Sequence, residues 1–234
     1  MCALGFAAAA AFPVEEAAAE AEAVVLWISA NTEAEAVAVW IGANKGNADD
    51  QYELGCLYNE DQVGPPKIQG AAEWWRKAAD QGHPCAQNEL GWAYQTGQGV
   101  LQDSQAAVMW QHKAADQNHE LALFALGCHY SWGWGVTENP TRGVKYWLQA
   151  ADLGNSEAQF NIGNYYKAKG DDEQALVWYR KGADEGHEIC AKRVLILVHK
   201  QAEAEQANKG TSAPLIASLA QRVCAKLAMS TTTS

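Results

Sequence analysis

The sequence predicts an all-α fold, a solenoid built by stacking antiparallel helix pairs. Three observations predict it. Leu-Gly-type pairs recur every 36 residues, at Leu54-Gly55, Leu90-Gly91, Leu126-Gly127 and Ile162-Gly163, and a Tyr follows each Gly by three (Tyr58, Tyr94, Tyr130, Tyr166). Trp74, Trp110 and Tyr146 keep the same period, each ahead of a small pair: Ala78-Ala79, Ala114-Ala115 and Ala150-Ala151. The segment ends are alike, reading ADQGH, ADQNH, ADLGN and ADEGH. Such self-similarity marks a repeat architecture, in which one hairpin cannot bury its apolar face alone and must stack on its neighbours.

Taken in order, residues 1–13 (MCALGFAAAAAFP) are apolar but lack the basic n-region of a secretory signal, and read as an N-terminal tail or degraded signal. Residues 14–47 read as N-terminal capping helices. Val14 to Ala30 is Ala/Glu-rich, and Glu33 to Gly46 aligns with a second helix, since Gly46 precedes Leu54 as Gly82 precedes Leu90. Four repeats follow, at 48–83, 84–119, 120–155 and 156–187. Within a repeat, Ala86, Leu90 and Tyr94 are four apart and share one face of the first helix. Gly costs about 1 kcal/mol in a helix relative to Ala. The recurrence of Gly91 and its counterparts therefore predicts a neighbouring helix that passes too close for a side chain. Gly97 and Gly99 break the first helix and turn the chain. Asp103 and Asn139 are good N-caps for the second helix, and Pro140 suits its first position. Ala107, Trp110 and Ala114 share one face there, where the ring is expected to fill the space left by small residues. The first repeat departs from the pattern, with DQVGPPKIQG in place of the Gly-x-Gly-Val turn. The fourth lacks that turn and is shorter, with Asp171 and Gln174 placed as a capping box. Residues 188–229 read as C-terminal capping helices. One begins at Ala191 and Leu195 and runs to about Ala207; a second, after KGTSAPL, is striped by Leu215, Leu219, Val223 and Leu227. Residues 230–234 (STTTS) read as a disordered tail.

Charge narrows the partners. The chain has 234 residues and a net charge of −11, from 17 basic and 28 acidic residues. Such a chain repels phosphate backbones and anionic membrane surfaces, which argues against nucleic acid and lipid as partners. No stretch reaches the roughly 18 consecutive apolar residues of a membrane span. The six cysteines (Cys2, Cys56, Cys85, Cys128, Cys190, Cys224) form no C-x-x-C pair, so neither a metal site nor a dense disulfide framework is expected. Small buried thiols favour a reducing compartment. A cytoplasmic location is therefore expected, or a periplasmic or secreted one if residues 1–13 are a signal remnant.

Nothing in the chain reads as a nucleophile elbow, a phosphate loop or a zinc-protease helix. The turn Gly97-Gln98-Gly99 is only a fragment of a dinucleotide fingerprint, and helices rather than a strand flank it. His83, His119 and His187 recur at the ends of second helices, where a helix C-terminus favours His. Cys128 and His129 are adjacent, so on a helix their side chains diverge. No catalytic residue, cofactor or metal ligand is expected.

The pattern A-x-x-x-L-G-x-x-Y-x-x-G-x-G-V, a cap residue, then W-x-x-x-A-A and a closing Gly resembles the Sel-one-like repeat family, relatives of the tetratricopeptide repeats. The match falls on Ala86, Leu90, Gly91, Tyr94, Gly97, Gly99, Val100, Asp103, Trp110, Ala114 and Ala115. It returns on Ala122, Leu126, Gly127, Tyr130, Gly133, Gly135, Val136, Asn139, Tyr146, Ala150 and Ala151, and covers about Ala48 to Ile196. The resemblance implies a right-handed α/α superhelix whose first helices line the concave face. In related repeats the open positions of that helix lie two before the Leu, one after the Gly, and one or two after the Tyr. Here those places include Tyr52, Asn88, Trp92, Gln95, Phe124, Trp132, Phe160, Asn164 and Lys167. These nine are the candidate peptide-binding residues. Aromatic anchors carry most of the energy of such grooves, and Asn amides can bond a peptide backbone.

The function expected is non-catalytic: an adaptor or scaffold, a monomer, that binds a peptide or partner protein. Two other classes stand beside it. One is a hydrolase of cell-wall or small-molecule substrates, reported for some secreted relatives rich in paired cysteines, a pairing this chain lacks. The other is a purely structural spacer.

Overall fold

A computed structural model describes residues 34–59 and 68–209 of the chain. The expected helix at Val14 to Ala30, the departing turn of the first repeat, the last capping helix and the tail lie outside the described residues. Within them every regular element is a helix. They divide between two compact units, Met1–His119 and Glu120–Ser234.

In the first unit, α1 (Ala34–Asn44) is followed by the pairs α2 (Ala48–Asn59) with α3 (Ile68–Asp80) and α4 (Pro84–Thr96) with α5 (Ser104–Ala115). The second unit holds α6 (Glu120–Trp132) with α7 (Pro140–Asp152), α8 (Ser156–Ala168) with α9 (Asp172–Asp184), and then α10 (Glu188–Lys209). Inside a unit the helices pack in series. Strongest are the α2–α3, α4–α5, α6–α7 and α8–α9 hairpins. Small residues at the crossings bring the backbones close: Ala71, Ala78, Ala86, Ala93, Ala107, Ala114, Ala122, Ala150, Ala158 and Ala175 are fully buried.

The recurring glycine is the seat of each hairpin. A Cβ on Gly55 would come within 2.5 Å of the Trp75 ring, and one on Gly163 within 2.5 Å of the Tyr179 ring. On Gly127 it would overlap the Trp147 ring, with Cγ at 2.8 Å. On Gly91 it would meet Gln111 Cγ at 2.7 Å. The close approach that the sequence predicts is thus made by the helix's own partner. The side chain responsible differs from expectation, however: it stands one position after the periodic aromatic. Trp110 is buried, but it packs with Ala86, Leu90 and Tyr94, not on Gly91. The periodic ring carries a lysine one turn on instead. Lys77 lies 3.5 Å from the centre of Trp74, Lys113 3.7 Å from Trp110 and Lys181 4.1 Å from Trp178. These are cation–π contacts at helical spacing.

Turn chemistry follows the residue types. Gly97, Gly99, Gly133 and Gly135 all adopt left-handed φ between 70° and 78°, which lets a Gly-x-Gly segment reverse the chain. Asp103, Asn139 and Asp171 cap α5, α7 and α9, accepting from backbone N–H groups in the first turn. The histidines do something the sequence reading missed. His83 caps the following helix rather than the preceding C-terminus: its Nδ1 accepts from Ala86 N at 3.1 Å. His187 does the same for Cys190 N at 3.2 Å, and Asn155 for Ala158 N at 2.7 Å. An Nδ1 that accepts leaves the proton on Nε2, and there it meets an acid in the first turn of the preceding first helix. His83 reaches Asp49 at 3.3 Å and His187 reaches Glu157 at 3.1 Å; Asn155 likewise donates to Glu120 at 2.8 Å. One side chain thus caps its own helix and ties it to the neighbouring repeat. Position in sequence cannot separate a C-terminal His from the next N-cap, because the linking turn is so short.

A second device is a buried glutamine lock. Gln51, Gln87 and Gln159 lie three before the Leu or Ile of their repeats and are almost fully buried. Each Nε2 donates to the last-turn carbonyl of the previous second helix: Ala43 at 3.1 Å, Ala79 at 3.2 Å and Ala151 at 3.4 Å. That satisfies one of the orphan acceptors of a helix C-terminus. In the first unit Oε1 is satisfied as well, by Gln81 donating to Gln51 at 2.7 Å and Gln117 donating to Gln87 at 2.9 Å. In the third repeat both positions are Leu, Leu123 and Leu153. In the fourth the donor position is Glu185, whose carboxylate cannot donate, and Gln159 Oε1 is buried without a hydrogen bond. Glu185→Gln is expected to supply that bond and raise stability by about 1 kcal/mol. Urea unfolding of the two proteins checks this, and a midpoint that stays or falls would refute it.

Candidate functional site

The nine candidate positions divide between the units. In the first, Tyr52 on α2 stacks on His83, with ring centres 4.7 Å apart and planes 21° off parallel. Burial pushes its hydroxyl pKa up, with Cys56 adding to the shift. Its ring is spent on the repeat contact, because the capping histidine is fixed above it. Asn88 on α4 was expected in the open but is only 8% exposed, and its Nδ2 donates to Glu89 at 3.3 Å. Gln95 is half-buried, with its carbonyl taken by Gln102 Nε2 at 2.8 Å. Trp92 stands apart. It follows Gly91 directly, so it points away from the α5 contact, and it is 53% exposed.

In the second unit Phe124 on α6 is half-buried. Trp132, at the C-terminus of α6, is 49% exposed and lies beside Trp134 at 4.8 Å and edge-on to Trp147 at 5.9 Å. Trp134 was not among the candidates, although its place inside the Gly133-x-Gly135 turn is a signal: a residue between two left-handed glycines has little room to turn inward. His129 Nδ1 donates to the Trp134 carbonyl at 2.6 Å and fixes that turn. On α8, Phe160 stacks on His187 at 5.2 Å and leans on Tyr179 at 6.1 Å, and Asn164 Oδ1 accepts from the Tyr179 hydroxyl at 2.7 Å. Lys167 pairs with Asp172 at 2.6 Å, and Lys200 reaches the same carboxylate at 3.3 Å. Lys167 leads the causes that hold the Asp172 pKa below its ordinary value.

The structure therefore brings Phe160 and Asn164 together around Tyr179, and Trp132 together with Trp134. It leaves Trp92 and Trp132 as the candidates most open to a partner. Buried thiols are poor nucleophiles here. Burial raises Cys128 and Cys190 to about 11, so little thiolate forms at neutral pH. Among the described residues no group of three or more His, Cys, Asp or Glu is placed to hold a metal ion, and no helix is long and apolar enough to cross a membrane.

Glu89, beside Trp92, is destabilised by its setting. Burial holds its carboxyl above the ordinary carboxylate range, and the Asn88 bond only partly opposes this. A folded-state pKa above the unfolded value gives stability that is complete at low pH and lost as pH rises through the folded value. Glu89→Gln cannot ionise. It is expected to melt higher than the parent at neutral pH, with the gain disappearing toward about pH 4. Thermal melts at both pH values check the sign; an equal gain at both would mean that ionisation is not its source.

Helix pairs seated on glycine, tied by capping residues and exposing aromatics on their first helices define the class: an all-α helical-repeat solenoid. Within that class the chain belongs to the Sel1 repeat family, whose model matches residues 48–83, 86–119, 121–155 and 156–187. Proteins of this family are generally protein-interaction scaffolds and typically non-catalytic. The structure is similar to a Sel1 repeat protein from Oxalobacter formigenes, 28% identical over 77% of this chain and 76% of that one, with a TM-score of 0.65. It is also similar in fold to c5321, a protective antigen of uropathogenic Escherichia coli displaying an SLR fold. That likeness is 24% identical over 93% of this chain and 57% of the antigen, again with a TM-score of 0.65. No curated protein matches the chain.

Proposed function

We propose that this chain is a non-catalytic scaffold that binds a peptide or partner protein on the first-helix faces of its repeats. Trp92 is the anchor in the first unit and Trp132 the anchor in the second. Gln95 and Asn88 flank the first, and Phe124 the second; Tyr52 and Phe160 stack on the capping histidines and Asn164 and Lys167 bond α9, so these four hold their helices in place beneath the partner. The observation that carries this reading is the exposure of the two indoles, 53% and 49%. An indole buries some 150–250 Å² when covered, and about half of each of these two is left uncovered by the repeat. Covering the half that is exposed, roughly 100 Å², is worth about 2–3 kcal/mol per ring. That is the size of an interface hot spot, where Trp is enriched.

The test begins with capture on immobilised protein and identification by mass spectrometry. The captured protein is then made pure and titrated. Trp92→Ala with Trp132→Ala is expected to weaken binding by at least about 30-fold, with helicity unchanged. Unchanged affinity would contradict the assignment of these faces, as would a loss of affinity accompanied by loss of helicity.

A further inference from the structure

A separate feature lies on the second-helix side of the third repeat. Asn139, Thr141, Arg142, Lys145, Tyr146 and Gln149, along α7 and its cap, line a cleft of about 420 Å³. Its chemistry is one-sided. Among the described residues no carboxylate lines it, although the chain as a whole carries a net charge of −11. Arg142 is held in place by aromatic rings. Its guanidinium lies 4.1 Å from the centre of Tyr130, and Nη2 stands 3.4 Å from the Tyr146 hydroxyl. Tyr130 and Tyr146 are themselves stacked, 5.5 Å apart and 14° off parallel. The guanidinium therefore rests on a rigid platform, and its side-chain entropy is already partly spent. Among the described residues neither Arg142 nor Lys145 makes an ion pair, whereas Lys167, Lys192 and Lys200 each have an acid within 4 Å. Nearby on the chain, Lys169 Nζ lies 4.5 Å from the centre of the Tyr165 ring.

We propose that this cleft binds a carboxylate side chain of an acidic peptide, Arg142 gripping the carboxylate with its fork and Lys145 adding the second charge. A planar guanidinium matches a carboxylate with two parallel hydrogen bonds, which a lysine cannot do. Five of the six lining residues are exposed. A small free anion would stay mostly wet there, whereas small-ligand pockets bury most of their ligand. A peptide gains further contacts along α7 on either side of its acid. The proposal does not depend on Trp92 or Trp132.

The experiment is a fluorescence-anisotropy titration of the full chain with a labelled peptide of alternating Gly and Glu, in low and physiological salt. Parallel arms use the Gly-Gln peptide, a Gly-phosphoserine peptide and free glutarate as competitor. The expected result is binding of the Glu peptide that weakens with salt, with none of the Gln peptide. Arg142→Gln with Lys145→Gln should reduce it by about tenfold or more, and Arg142→Lys by less. Lys192→Gln with Arg193→Gln, on α10, and Trp92→Ala with Trp132→Ala should leave it unchanged. Circular dichroism should be the same for all. The proposal is overturned if the Glu peptide does not bind, or if the α10 variant weakens it as much as the cleft variant. Glutarate competing as well as unlabelled peptide would assign the cleft to small anions. Tighter binding of the phosphoserine peptide would assign it to phosphate, and either result overturns the carboxylate assignment.

Discussion

Trp147→Ala is expected to lower the free energy of unfolding by about 3–5 kcal/mol, near the upper end for a core truncation. The ring is 4% exposed and lies where a Cβ on Gly127 would otherwise be. The ring packs directly on the α6 backbone at Gly127, beside the close approach of Gly143 to the Gly127 carbonyl, and Gly127 has no side chain with which to refill the space. Trp132 also loses its edge contact. For a protein of this size the loss corresponds to a fall in melting temperature of roughly 6–20 °C. Tyr146→Ala makes the comparison informative. Tyr146 is the residue that the 36-residue period selects, yet it is half-buried and stacks on Tyr130 near the surface. It should cost clearly less. Equal losses at 146 and 147 would contradict the placement of the seat.

Tyr179→Ala is the second large effect, again about 3–5 kcal/mol. Tyr179 is 1% exposed, sits on Gly163, and is the centre of the cluster of Ala175, Leu176, Cys190 and Leu197. Tyr179→Phe separates the two parts of its contribution. It keeps the ring on Gly163 and removes only the bond to Asn164 Oδ1, 2.7 Å long. That should cost about 1 kcal/mol, because Asn164 is half-buried and its oxygen can find water. A Phe variant as unstable as the Ala variant would mean that the hydroxyl, not the ring, holds the fourth repeat.

The glycine seats were legible because they recur at one spacing and because Gly is costly inside a helix; both facts need only the chain. The N-caps at Asp103, Asn139 and Asp171 were legible for a similar reason, since each precedes a helical pattern by one residue. Which ring fills each seat was not legible. Trp75, Gln111, Trp147 and Tyr179 share a position but not a chemistry, so no period marks them. Gln111 is the plainest case: a polar side chain only 1% exposed, filling by its methylenes a place that elsewhere takes a ring. The glutamine lock was hidden differently. Its donor is the third letter of ADQGH and ADQNH, and ADLGN and ADEGH make that letter look free to vary. In the third repeat both members of the pair become Leu, Leu123 and Leu153, whereas in the fourth Gln159 stays and only its donor changes, to Glu185. The candidate site was partly legible. Trp92 and Trp132 are open as the family pattern implies, whereas Tyr52 and Phe160 are drawn into stacks with His83 and His187. Those stacks depend on histidines acting as caps, a role that their sequence position alone does not reveal.

The central claim is that each first-helix glycine exists to seat one side chain of its partner helix, and a double-mutant cycle on Gly127 and Trp147 tests it most directly. Gly127→Ala should destabilise the parent by about 1–3 kcal/mol through overlap with the ring. In the Trp147→Ala background the same change should be neutral or stabilising by up to about 1 kcal/mol, since only helix propensity remains. The same penalty in both backgrounds would contradict the account.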